Sequence, residues 1–299
     1  MNKNLFNNIL DKFIDYLQFE KRFSYNTIKS YRSDILEFSK YLDDYYPNLF
    51  FEDVYVDIIR SWIVSMIDNG YNKNSINRKI SCLRSFYKFS VKNNFLKINP
   101  TENITLLKKD KKLPNYLNED ELYNLILNRK ITNDFKSLRD YIVLLILSTT
   151  GCRCSELVNL QDNDINFNNN TILFYGKGNK ERIVPILNNV INSINYYIKI
   201  KKQYYPENNW LILTNKGKKS YPRLIYRIVN SELNLITSNT KKSPHTLRHT
   251  FATLLLKNGA SINSVKEILG HQSLAATQIY THNTIEQLKI IYNKTHPRS

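Results

Sequence analysis

Residues that grip phosphate and move protons recur in order along the last third of this chain. Ser243-Pro-His-Thr-Leu-Arg-His249 is followed by Leu269-Gly-His271 and then by Ile279-Tyr-Thr-His282. In a helix beginning near Pro244, His245 and Arg248 lie three residues apart and share one face. A guanidinium offers a planar fork of donors suited to phosphate oxygens, and an imidazole moves a proton near neutral pH. Such a pair binds anions. A tyrosine hydroxyl a few residues beyond a second histidine adds a nucleophile, one able to attack an electrophile and hold it covalently.

Upstream, Thr149-Thr-Gly-Cys-Arg-Cys-Ser-Glu-Leu157 follows the apolar run from Tyr141 to Leu147. It puts Arg153 at a glycine-led turn opening a helix, where backbone N–H groups and the helix dipole already favour negative charge. Glu156 reads as a helix-start residue or one that orients an arginine. Two β-prone runs flank Gly176-Lys-Gly-Asn179 and predict a hairpin with Lys177 at its tip. His249 reads as support for its own helix, and His282 as lying outside the site.

Taken in order, Arg153, Lys177, His245, Arg248, His271 and Tyr280 resemble the catalytic set of the tyrosine recombinases, the phage integrase and Xer family. The resemblance covers nearly the whole chain, and the ending, Thr277 to His282 through Lys294 to Arg298, resembles the chromosomal Xer recombinases, the XerC branch most. It implies metal- and ATP-independent cleavage through a 3′-phosphotyrosyl intermediate. Arg153 and Arg248 would clamp the scissile phosphate, Tyr280 attack it, His245 move a proton and His271 donate a hydrogen bond. Lys177 would be the general acid, with Lys180 as the substitute if the turn register differs. No cofactor is expected. The implied partners are double-stranded DNA at a specific site and a XerD-like recombinase in a heterotetramer, with a cell-division protein as a candidate regulator. The implied role is resolution of chromosome dimers. A mobile-element integrase of the same superfamily, a type IB topoisomerase and a non-catalytic DNA-binding protein are the competing readings.

Composition supports a polyanionic partner independently. Among 299 residues, 43 Lys and Arg against 26 Asp and Glu give a net charge of +17. No apolar run approaches the length of a membrane span and no secretory pattern opens the chain, so the sequence predicts a soluble cytoplasmic protein with no membrane insertion. Cys82, Cys152 and Cys154 are too few and too scattered for a disulfide framework or a structural zinc site. The pair around Arg153 could hold thiols made reactive by a cation, but buried small residues are the plainer reading.

The elements that must position these groups divide at the charged run Lys108 to Asn115. Residues 1–107 show four helical stripes: Leu5 to Leu17, Ile28 to Leu42, Ile58 to Met66 and Ile76 to Tyr87. They predict a four-helix DNA-binding domain, and the resemblance gives it the SAM-like core-binding fold, which would close on duplex DNA opposite the catalytic domain. Ser24 is the expected N-cap of the second helix and Gly70 the stop of the third. On the fourth, Lys73, Asn74, Asn77, Arg78, Lys79 and Arg84 form a basic, hydrogen-bonding set expected to face DNA. Residues 108–116 read as linker and 117–299 as the catalytic domain, mainly α with a small antiparallel sheet from Asn163 to Phe167, Ile172 to Tyr175 and Arg182 to Ile186. Asn118 and Glu121 form a helix-start signal, and further helices are expected at Ile191 to Tyr204, Tyr221 to Ile236, His245 to Lys257, Ser261 to Leu269 and Leu274 to Tyr280. After the nucleophile, Ile285, Leu288, Ile291 and Tyr292 make an apolar helical face expected to dock into a neighbouring protomer.

Overall fold

The computed structural model describes residues 3–49, 51–108, 116–127, 132–176, 180–238 and 241–270, which fall into two units, Met1–Lys112 and Leu113–Ser299. In the first, the four apolar stripes are helices: α1 (Lys3–Asp15, continuing as a wider turn over Tyr16–Glu20), α2 (Tyr25–Tyr45), α3 (Val56–Asp68) and α4 (Lys73–Lys92). Their inner faces are unusually aromatic. Phe13 packs edge-on against Phe86 with centroids 5.2 Å apart, and Phe38 meets Trp62 at 4.8 Å. Ser24 caps α2, accepting from Thr27 N–H at 3.4 Å, and α3 ends at Asn69 with Gly70 following at φ +74°.

The second unit is built around α6 (Phe135–Thr150), whose residues from Ile142 to Thr150 are all buried. A helix apolar on every side must sit inside others, and α6 packs against α5 (Glu119–Leu127), α8 (Asn188–Tyr204), α9 (Pro222–Ile236) and α10 (Pro244–Lys257). Asn118 and Glu121 start α5 as expected: Asn118 N–H donates to Glu121 Oε2 at 2.9 Å and Glu121 N–H to Asn118 Oδ1 at 2.7 Å. The short α7 (Cys154–Val158) follows α6, and α11 (Ile262–Leu269) follows α10.

The sheet is antiparallel in the order β1 (Ile165–Asn166), β2 (Thr171–Tyr175), β3 (Glu181–Pro185). Its register opposes Ile172 to Val184 and Phe174 to Arg182. The first strand is shorter than the sequence pattern suggests. Gln161 N–H donates to Asp164 Oδ2 at 2.8 Å, which winds Asp162–Asp164 into a tight helical turn before the strand starts. The helix expected at Leu274 to Tyr280, the apolar face at Ile285 to Tyr292 and most of the linker lie outside the described residues. Among those described, no helix is long and apolar enough to cross a membrane.

Candidate active site

Glu156 is the hub of the candidate site. Its side chain is only 2% exposed, and each carboxylate oxygen receives two donors. Oε1 accepts from Arg153 Nη1 and Arg182 Nη1, both at 2.8 Å; Oε2 accepts from Arg153 backbone N–H and Arg182 Nη2, both at 2.7 Å. Burial alone would raise its pKa. The hydrogen bonds and charge of Arg182, then the N–H and side chain of Arg153, reverse that and hold the carboxyl below its ordinary range. Glu156 is therefore both the cap of α7 and the counter-ion that orients Arg153.

The end of α11 is held by three guanidiniums on three successive carbonyls. Arg182 Nε donates to Ile268 O at 2.9 Å, Arg248 Nη2 to Leu269 O at 2.8 Å, and Arg153 Nη2 to Gly270 O at 3.2 Å. Cations at a helix C-terminus meet its unsatisfied carbonyls and the negative end of its dipole. Arg248 also donates to Gly151 O at 2.5 Å. Burial, and then the neighbouring charge of Arg153, push Arg248 down to about 10, which leaves it protonated at neutral pH. Three guanidiniums against one carboxylate leave the cluster cationic. A guanidinium carries five N–H donors, and Arg153 and Arg248 each use two on the described residues, so both retain donors for an anion.

Two glycines make this convergence possible. Gly151, at φ +59°, ends α6 where a Cβ would lie 2.5 Å from Phe251 Cδ1 and 2.8 Å from Leu269 Cδ2. Gly270, at φ +64°, ends α11 where a Cβ would press on Arg182 Cδ at 3.1 Å. Neither backbone conformation suits a residue with a side chain.

Of the predicted catalytic residues, the structure brings together Arg153 and Arg248, both half-buried, and places His245 exposed in the first turn of α10, one turn before Arg248. The base of the hairpin is closed by Gly176 N–H donating to Lys180 O at 2.7 Å, and a Cβ on Gly176 would lie 3.8 Å from Glu156 Oε1. The hairpin thus springs from beside the Glu156 carboxylate that holds Arg153, with Lys180 exposed at its base. Lys177, His271 and Tyr280 lie outside the described residues. His249 is exposed and meets Tyr116 edge-on at 6.3 Å. Burial pushes the Cys152 thiol up to about 12 and raises that of Cys154, so neither is an activated thiolate at neutral pH.

The expected DNA-facing set on α4 divides. Lys73, Asn74 and Arg78 are exposed, with Arg78 also paired to Asp34. Asn77 and Lys79 are turned inward instead. The Asn77 amide donates to Leu107 O at 2.9 Å and accepts from Leu107 N–H at 2.8 Å, tying down the segment that follows α4. Lys79 is 4% exposed, its ammonium paired with Asp34 at 3.2 Å and Glu37 at 2.5 Å. Arg84 is half-buried and donates to Ile104 O. The amide of Asn77 and the charge of Lys79 are engaged inside the unit rather than on the face expected to meet DNA.

Sequence reasoning passed over Arg182. The available signal was strand alternation: in Glu181-Arg-Ile-Val-Pro185 the arginine holds an inward position, and a buried arginine demands a partner.

Residues 115–287 match the family described as "Phage integrase family", and residues 10–94 match "Phage integrase, N-terminal SAM-like domain". The chain is 36% identical over 297 residues to tyrosine recombinase XerD of Staphylococcus aureus, covering 97% of this chain and 99% of that protein. It is 35% identical over 298 residues to XerD of Staphylococcus epidermidis, covering 98% and 100%. It is similar in fold to XerH site-specific recombinase bound to its difH substrate in a pre-cleavage complex, with 24% identity, coverage of 95% and 80%, and a TM-score of 0.69. The same holds for a lambda integrase dimer bound to a core site, at 17% identity, 92% and 99% coverage, and a TM-score of 0.67.

Proposed function

The chain belongs to the phage integrase family, the tyrosine recombinases, and from that premise we propose that it is one member of a Xer pair that resolves chromosome dimers at a specific DNA site. The observation that carries the chemistry is the meeting of Arg153 and Arg248, two cations with donors to spare, at the end of α11, one residue before His271. Two guanidiniums on the non-bridging oxygens stabilise the charge that develops as phosphorus becomes pentacoordinate.

In the proposed step, Tyr280 Oη bonds to phosphorus as the bond to the 5′ oxygen breaks, leaving a 3′-phosphotyrosyl link and a 5′ hydroxyl. His245, exposed beside Arg248, takes the phenolic proton; Lys177, on the hairpin rooted beside Glu156, protonates the departing oxygen. His271 donates a hydrogen bond to the phosphate. Attack of a second strand's 5′ hydroxyl on the phosphotyrosine reverses the chemistry and completes exchange, with no metal or nucleotide in the step.

DNA would be held by the exposed basic groups of α4, Lys73, Arg78 and Lys88, with the Asn74 amide adding hydrogen bonds. The partner is the complementary Xer recombinase, two copies of each chain around two sites, with a cell-division protein as regulator and the cytoplasm as the setting. The C-terminal motif points to the XerC branch, whereas the relatives described above carry the name XerD. The proposed function is the same for either branch.

A nicked suicide substrate, from which the cut strand diffuses away, tests this reading. Wild type should accumulate covalent protein–DNA, and Tyr280→Phe should bind the same site without trapping it. Binding with no trapped species on any candidate site would favour a non-catalytic DNA-binding protein; relaxation of plasmid lacking a specific site would favour a topoisomerase.

A further inference from the structure

We propose that Arg182 is a positioning residue of the cleavage site: through Glu156 it fixes Arg153 against the scissile phosphate and, through Ile268, the end of the helix that leads to His271. The assignment rests on the recombinase reading and adds to it a residue with no direct role in the chemistry. Arg182 lies on β3, is 4% exposed, and has its guanidinium over the Phe174 ring at 5.0 Å. Its fork takes both oxygens of Glu156 at 2.8 and 2.7 Å, and its Nε takes Ile268 O at 2.9 Å. Its stem packs where a Cβ on Gly270 would stand, 3.1 Å from Cδ.

The geometry separates this residue from an ordinary buried ion pair. Glu156 has one carboxylate and two arginine clients, and only Arg153 is half-exposed, at 35% of its side chain, where a substrate could reach it. Without the Arg182 fork, nothing else among the described residues opposes Arg153 on the far side of that carboxylate. Glu156 would then be anchored by the Arg153 backbone N–H alone, and its Oε1 would be free to swing with the Arg153 side chain. Lysine is not equivalent, because its compact ammonium lacks the planar fork that meets both carboxylate oxygens and a backbone carbonyl in a fixed geometry. Displacement of a catalytic group by about 1 Å costs on the order of 100-fold in rate.

The test compares wild type, Arg182→Lys and Lys177→Ala on the suicide substrate below their melting temperatures. Arg182→Lys should bind the site with unchanged affinity and cleave at least tenfold more slowly. The defect should narrow on a substrate whose scissile phosphate has a neutral methyl in place of one non-bridging oxygen, since less charge then needs a clamp. It should persist when the 5′ leaving oxygen is sulfur, a substitution that should restore Lys177→Ala. Wild-type cleavage by a folded Arg182→Lys overturns the proposal; so does rescue by sulfur, which would place Arg182 behind the general acid. If Arg182→Lys does not fold, Glu156→Asp decides, because it keeps the charge and draws the carboxylate away from Arg153. It should show the same pattern, and wild-type cleavage would overturn the proposal. Absence of covalent complex from wild type itself is a failure of the recombinase reading, seen before any variant is compared, and takes this proposal with it.

Discussion

Replacing Glu156 with glutamine keeps the shape of the side chain and removes its charge from a site only 2% exposed. Either orientation of the amide turns its NH2 towards one donor from Arg153 and one from Arg182, because each oxygen of the native carboxylate accepts one from each arginine. Two charge-assisted hydrogen bonds are lost, each worth roughly 1.5 to 3 kcal/mol. Removing one member of a buried ion pair costs about 3 to 5 kcal/mol, the same effect counted another way. For a unit of this size that corresponds to a fall of roughly 10 °C in melting temperature. The chain's two tryptophans divide conveniently, Trp62 in the first unit and Trp210 in the second. In a Trp62→Phe background, Trp210 fluorescence during urea unfolding reports the second unit alone. A loss below about 1 kcal/mol, the worth of an ordinary hydrogen bond, would refute the hub role of Glu156.

Acid should remove the same stabilisation. The folded pKa of Glu156 lies below its ordinary 4.5, so its contribution is complete above that pH and disappears as pH falls through the folded value. Melting curves of wild type and Glu156→Gln should therefore converge in acid, and a constant gap would contradict the assignment. Gly151→Ala should destabilise the second unit by about 2 to 6 kcal/mol, combining left-handed strain with overpacking against Phe251 and Leu269. A neutral result by calorimetry would mean that α6, α10 and α11 are not wedged together there. Asn77→Ala should release Leu107 and speed proteolysis in the segment after α4, with binding to DNA changed little; a selective loss of DNA affinity would restore Asn77 as a DNA contact.

The helices were legible because their signals are local: stripes at helical spacing, Ser24 and Asn118 as caps, Gly70 as a stop. The convergence of Arg153 and Arg248 was legible from residue type and order. What pairs at long range was not. Lys79 stands three residues after Ile76 and four before Leu83, so periodicity alone puts it beside the core stripe, but its carboxylate partners come from α2, more than 40 residues away. Asn77 answers to a backbone 30 residues on. Arg182 needed both the strand's inward register and a glutamate from another element, and neither signal singles out an arginine in a chain with 43 basic residues.

Whether Tyr280 is the residue that joins a DNA 3′ phosphate, as proposed, is read most directly by peptide mapping. Trypsin cuts after Lys266 and Lys289, and the peptide between them, Glu267 to Lys289, holds Tyr280 as its single tyrosine. Wild-type protein trapped on a suicide substrate, then digested with trypsin and nuclease, should carry the residual nucleotide on that peptide and at that tyrosine. Nucleotide on any other peptide, or trapping that survives Tyr280→Phe, would contradict it.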